Sequence, residues 1–158
     1  MEALLPALTV LAALGAGLVA GIFFAFSTFI MAALARLPAE GGIAAMQSIN
    51  VAVLNPLFFL AFFGTAAIAL VLAIAALSDW SHPGAIYLLA GALLYLIGTI
   101  LVTIAFNVPL NNILASAKPS GAEGGRIWTH YLSSWTAWNH VRTAASLAAA
   151  ASFTLALP

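Results

Sequence analysis

The sequence predicts an all-α integral membrane protein, a four-helix bundle with a short interfacial helix between its first and second spans. Three observations predict it. Of the 158 residues, 65% are hydrophobic and 5% charged, where a soluble domain carries roughly a quarter charged residues. The apolar residues gather into four runs, at about 4–34, 56–77, 86–106 and 139–157, each close to or longer than the roughly 20 residues a helix needs to cross a bilayer. Between the runs, the basic residues collect on one side of the expected membrane. A single transmembrane domain, residues 1–158, accounts for the chain.

The same composition excludes other classes. Four Lys and Arg balance four Asp and Glu, so no charge excess points to nucleic acid or another polyanion. Cysteine is absent, which removes disulfides, thiolate nucleophiles and cysteine metal sites together.

The run from Ala3 to Leu34 opens on acidic Glu2 without preceding Lys or Arg. A secretory signal has a basic start and a shorter apolar core, so this run is expected to be a retained helix. Its length makes it tilt or project near Arg36. Gly17 and Gly21 form a small-xxx-small pair that suits close helix approach, within the chain or between copies. Pro38 and Glu40 then suit a helix start, and Ile43, Met46, Ile49 and Val53 recur at helical spacing, as in a helix lying on the membrane surface.

Asn55 precedes Pro56 at the mouth of the second span, and Asp79 to Gly84 form a polar turn into the third. Pro109 lacks the donor a continuing helix would use, so the third span is expected to stop or kink near Phe106 to Asn112. Residues 115–125 read as a loop, and the last helix is expected to start near Arg126 and enter the membrane around Asn139. Arg36, Lys118, Arg126 and Arg142 share the side of the two longer connections, while Glu2 and Asp79 lie opposite. The positive-inside rule places those connections in the cytoplasm and both termini outside a plasma or inner membrane. Lipid is therefore an expected partner.

Counting 1.5 Å per residue back from Pro158 puts Asn139 at roughly 30 Å, the inner edge of the hydrocarbon, with Arg142 about one turn inside it. Asn55, Asn107, Ser27 and Thr28 fall near the same level. So do Phe23, Phe24, Phe26, Phe29, Phe58, Phe59, Phe62, Phe63 and Phe106, joined by Trp128, Tyr131, Trp135 and Trp138, leaving only Phe153 of the ten phenylalanines elsewhere. Either these rings line an apolar pocket holding a few polar groups, or they face lipid while the amides cap helix ends.

On the last helix, Trp135, Trp138, Asn139, Arg142 and Ser146 form one stripe. His140 is turned about 160° away from Arg142, so a regular helix cannot aim both at one centre. An ionisable residue within a span is a functional-site candidate by default. Arg142 either snorkels to headgroups or pairs inside the bundle with Asn107 or a carbonyl freed by Pro109; His140 is an interfacial imidazole or a base. The histidines lack the close helical spacing of a metal site, and no carboxylate lies near them.

Phe23-Phe24-Ala25-Phe26-Ser27, Ala45-Met46-Gln47-Ser48-Ile49-Asn50, Asn107-Val108-Pro109-Leu110-Asn111-Asn112 and Trp138-Asn139-His140-Val141-Arg142 resemble the motifs of a family of small four-span membrane proteins that contains the fungal anthrone oxygenases. The resemblance implies oxygenation of a flat phenolic or anthrone-type substrate, with no metal, flavin or other cofactor required. It implies His140 as base, and Arg142 with Asn139 or Asn107 as donors to the enolate oxygen. Ser27, Asn55, Phe59, Phe106, Asn111, Trp135 and Trp138 would shape the substrate slot. The competing expectation is a non-catalytic membrane protein that binds a lipid or quinone, or serves as an accessory subunit.

Overall fold

A computed structural model describes residues 4–158. Every regular element in it is helical. Helix α1 spans Leu4–Leu34, α2 Ala39–Ala52, α3 Pro56–Ser78, α4 Ala85–Ser116 and α5 Ala122–Leu155. Of these, α1, α3 and α4 are long and apolar enough to cross a membrane. Helix α5 is longer still, but Arg126, His130, Asn139, His140 and Arg142 dilute its apolar content.

Local chemistry sets the starts. Pro38, with ψ 143°, holds extended backbone ahead of α2, and Glu40 places an acid in the first turn where the helix dipole favours it. Asn55 caps α3 by accepting the Phe58 amide at 3.0 Å, with Pro56 in the first turn where its missing N–H is no loss. Gly121 enters α5 with φ 102°, a conformation that disfavours any side chain. Between α3 and α4, the Asp79 carboxylate accepts from the Ser81 hydroxyl and amide, and these bonds hold it below the usual carboxylate range.

Helix α1 packs against α3 and α5, and α4 packs against the same two, so the four long helices close a ring. Inside it, Ala12, Ala16, Val19, Ala69, Leu72, Ala92, Ala149 and Phe153 form an alanine-rich core. Small side chains let helices approach where lipid removes most of the hydrophobic gain from association. Buried hydroxyls add cross-links: Thr99 with Ser146 at 2.7 Å, Tyr95 to the Phe62 carbonyl at 3.0 Å, and Ser152 to the Tyr87 carbonyl at 2.8 Å.

Helix α2 closes one end of the ring, packed on α5 and on the outer ends of α1 and α4. Ile43, Met46, Leu114, Trp128, Tyr131 and Trp135 make a second core beneath it. Gln47 pins α2 to the end of α4, donating to the Leu114 and Ala117 carbonyls at 2.8 and 3.2 Å. Gly42 lets α2 lie directly on the Trp128 ring, where a Cβ would stand 2.6 Å from the nearest ring carbon.

Three expectations change. Helix α4 does not end near Phe106 but runs through Pro109 to Ser116. It does so by widening: Thr103–Asn107 adopts π-helical turns, and the Val108 amide reaches back to the Thr103 carbonyl. The wider turn gives the proline ring room over the preceding carbonyls. Helix α5 begins at Ala122 rather than near Arg126, which shortens the expected loop. Within the chain, the closest approach is not at the Gly17 and Gly21 pair, since a Cβ at Gly17 would stand 4.0 Å from the nearest atom, Ala150 Cβ, and one at Gly21 would meet nothing within 4 Å. It uses Gly15 against Thr65, Gly91 against Phe153 and Gly98 against Ala145.

Gly98→Leu should therefore force α4 from α5 and lower stability in detergent by about 1–3 kcal/mol. Gly21→Ala should cause no loss. Thermal unfolding followed by circular dichroism tests the pair, and equal stability of both variants would refute this account of the packing.

Candidate functional site

The site forms where α5 meets the lower halves of α1 and α4 under α2. Asn139 is fully buried, and its amide nitrogen donates to the Phe23 carbonyl at 2.8 Å and to Ser27 Oγ at 2.7 Å. That carbonyl precedes the π-helical Phe26–Ile30 stretch, where wider turns re-aim the α1 backbone. Ser27 in turn bonds Thr143 at 3.0 Å, and Thr143 donates to the Asn139 carbonyl at 2.8 Å. With its nitrogen committed to α1, Asn139 turns its oxygen toward Arg142.

Arg142 is 4% exposed. It donates to Asn139 Oδ1 at 2.7 Å and to Thr103 Oγ1 at 3.3 Å, and its guanidinium carbon lies 4.1 Å from the centre of the Phe23 ring and 5.0 Å from that of Trp135. Burying a cation costs several kcal/mol after relaxation. Two ring faces return about 2 kcal/mol each when desolvated, and hydrogen bonds to a charge about 1.5–3 kcal/mol each. Among the described residues, the guanidinium is thus held by neutral groups alone. Its Nε has no protein partner among the described residues, and neither have Trp135 Nε1 and Asn107 Oδ1, all buried.

Against Arg142 lies a cavity of about 220 Å³, walled by Phe23, Phe26, Phe58, Phe59, Phe62, Phe63 and Trp135. Arg142, Thr103, Asn50 and Asn111 supply its polar groups, with no acid or histidine in the wall. The volume falls below the roughly 300–1,000 Å³ usual for drug-sized ligands, so it suits a small, rigid occupant. The rings are interlocked rather than splayed: Phe58 stacks on Phe62 with centroids 5.4 Å apart, and Phe26 leans on Trp135 at 5.6 Å.

The candidate residues named from the sequence divide into three groups. Arg142, Trp135, Phe59 and Asn111 line the cavity. Asn139 and Ser27 stand behind it and hold Arg142. Asn107 is buried but donates to the Trp135 carbonyl at 3.2 Å rather than accepting from Arg142, one of the pairings expected for that arginine; the π-helical turns carry its side chain toward the α5 backbone. Asn55 is an exposed helix cap, and Phe106 and Trp138 stack on each other at 3.6 Å outside the cavity.

His140 is exposed and points away from Arg142, as the regular α5 helix requires. Snorkelling is likewise not what Arg142 does.

Phe23 and Tyr131 were expected at the level of the site, whereas Thr103 and Asn50 belong to it without having been singled out as its residues. Thr103 carried a readable signal, a polar residue four before Asn107 and hence on the same face of α4. Asn50 and Tyr131 reach it only because α2 folds across the ring.

Asn139→Leu should strand the buried guanidinium and cost about 3–5 kcal/mol. The double variant Asn139→Leu with Arg142→Met removes the charge as well and should recover most of that loss. Unfolding in detergent measures both, and a double variant less stable than Asn139→Leu alone would refute the coupling.

Neither a curated protein nor a solved structure matches this chain. The sequence profile of the anthrone oxygenase family matches residues 58–152. That stretch takes in most of α3 and all of α4, and includes Asn107, Trp135, Asn139 and Arg142. Covering more than half of the 158 residues and the polar face around the buried guanidinium, the match places this chain in the anthrone oxygenase family.

Proposed function

We propose that this protein is a four-span membrane oxygenase that oxidises a flat, anthrone-type aromatic ketone with dioxygen in the cavity beside Arg142. One observation carries the reading: a buried guanidinium with only neutral partners faces an aromatic cavity that has no acid in its wall. Such a charge favours a ligand oxygen that becomes negative during reaction. The family supplies the reaction class.

The substrate chemistry needs little else. An anthrone has a doubly benzylic carbon conjugated through both rings to its ketone, so loss of one proton gives an aromatic anthrolate. That anion passes an electron to dioxygen, and the radical pair closes to a carbon-bound peroxide. Loss of the second hydrogen from that carbon breaks the O–O bond. One oxygen stays as the quinone carbonyl, and the other leaves as hydroxide, which takes up the first proton to give water. The electrons come from the substrate, so the balance of the reaction does not require a cofactor.

Arg142 stabilises the anthrolate oxygen, Asn139 and Thr103 orient Arg142, and the phenylalanine walls hold the rings. The first proton passes to water at the cavity mouth; His140, exposed on the far side of α5, is not retained as base. Purified protein should consume dioxygen with an anthrone faster than the spontaneous background without added metal, flavin or nicotinamide. Arg142→Gln should slow it by about a hundredfold or more, while His140→Ala should keep both the rate and its pH profile. Wild-type turnover no faster than background, with ligand binding intact, would leave a lipid- or quinone-binding protein as the better reading.

In the same proposal α5 is the fourth span, entering the membrane near Asn139, and α2 lies at the cytoplasmic interface. The packing of α5 along both α1 and α4 supports this, as does the clustering of Arg36, Lys118 and Arg126 at the α2 end. The chain has no cysteine, so single cysteines at Ser81 and Ser120 can be labelled selectively. An impermeant reagent on intact cells should label Ser81→Cys and spare Ser120→Cys. The reverse pattern would invert the topology.

A further inference from the structure

The cavity has a second polar pole. Tyr131 donates its hydroxyl proton to Asn111 Oδ1 at 2.8 Å and accepts from Asn50 Nδ2 at 3.5 Å. Asn50 is on α2, Asn111 on α4 and Tyr131 on α5, so one short relay ties three helices at the α2 side of the cavity. It also fixes both amides. Asn111 must turn its oxygen to Tyr131, which leaves its NH2 as a donor; Asn50 spends its nitrogen and keeps its oxygen as an acceptor. These two groups have no protein partner among the described residues, and both side chains line the cavity.

The two poles face one apolar space from opposite ends. Arg142 is anchored at Thr103, and Asn111 stands two helical turns further along the same helix, at most about 12 Å at 1.5 Å per residue. Between them on α5 the rings run in sequence: Tyr131 stacks on Trp135 with centroids 5.8 Å apart, and Trp135, which lines the cavity, in turn lies under the Arg142 guanidinium. A plain aromatic hydrocarbon would leave the free donor and acceptor at the second pole facing carbon, a loss that a built polar site imposes on ligands lacking the matching group. A hydroxyl can accept from Asn111 and donate to Asn50 at once.

We infer that the cavity selects flat aromatic ligands oxygenated at both ends, with one oxygen at Arg142 and a phenolic hydroxyl between Asn111 and Asn50. Asn111 and Asn50 are then specificity-determining residues and Tyr131 a positioning residue. This rests on the reading of the cavity as a ligand site but not on turnover, so binding alone tests it.

The probes are 2-naphthol, 2,6-dihydroxynaphthalene, with hydroxyls at opposite ends, and 2,3-dihydroxynaphthalene, with both at one end. Affinities for the full-length protein in detergent are read by quenching of tryptophan fluorescence and checked by calorimetry. The 2,6-diol should bind about three- to tenfold more tightly than 2-naphthol, the effect of one net hydrogen bond or slightly more. The 2,3-diol should show no such gain. Asn111→Leu should bring 2-naphthol and the 2,6-diol within about twofold of each other. Tyr131→Phe, which frees both amides to rotate while keeping the stacked ring, should narrow the preference as well and guards against a folding defect in the first variant.

Binding of 2-naphthol with no preference for the 2,6-diol overturns this inference alone. A wild-type preference kept in both Asn111→Leu and Tyr131→Phe also overturns it. Failure of every naphthol to bind overturns the cavity as a ligand site, and the specificity with it.

Discussion

A guanidinium buried in an apolar helical ring is the constraint on which the rest of this structure depends. Removing Arg142 from water costs several kcal/mol, and no carboxylate lies in the cavity wall to offset it. Neutral groups must do so. Asn139 is placed one turn before Arg142 on the same helix face, accepts from it at 2.7 Å and is itself fixed to the α1 backbone at Phe23. Phe23 and Trp135 then bring ring faces to the cation from two different helices. The charge thus determines where α1 and α5 sit relative to each other.

The π-helical turns fit the same logic. One set, Phe26–Ile30, begins just after the carbonyl that Asn139 uses; another, Thr103–Asn107, begins at the threonine that Arg142 uses. Widened turns re-aim side chains at the expense of backbone geometry, and they collect at functional sites. Here they occur on α1 and α4 at the level of the guanidinium. Pro109, which ought to end a regular helix, is tolerated immediately after the second set. Helix α4 therefore reaches far enough to bring Asn111 under α2.

Helix α2 supplies one wall of a half-open cavity. Met46, Ile49, Asn50 and Val53 contribute to the wall, and Gln47 ties the helix to α4. The phenylalanines of α3 supply another part of that wall, with Phe59 and Phe63 still exposed. The rings and a charged group share a cavity of about 220 Å³, in which each charge and dipole acts more strongly than it would in water.

Composition and hydrophobic runs by themselves determined the helical class, the long apolar helices and the short helix after the first of them, because those properties depend on solvent and on periodicity along one chain. The single level at which Asn139, Arg142 and the phenylalanines gather was also legible, since helical rise converts sequence number into depth. The relative turn of His140 and Arg142 followed from the helix period, and with it the fact that only one of them could face the interior. Tertiary structure alone decided that Arg142 was that one and that its partners are Asn139 and Thr103 rather than Asn107. It also decided that Phe106 and Trp138 stack outside the cavity, and that Asn50 and Tyr131 belong to its polar end. Each of those outcomes depends on π-helical turns and on the way α2 folds across the ring. Neither leaves a periodic trace in the sequence, because both come from contacts between residues far apart in the chain.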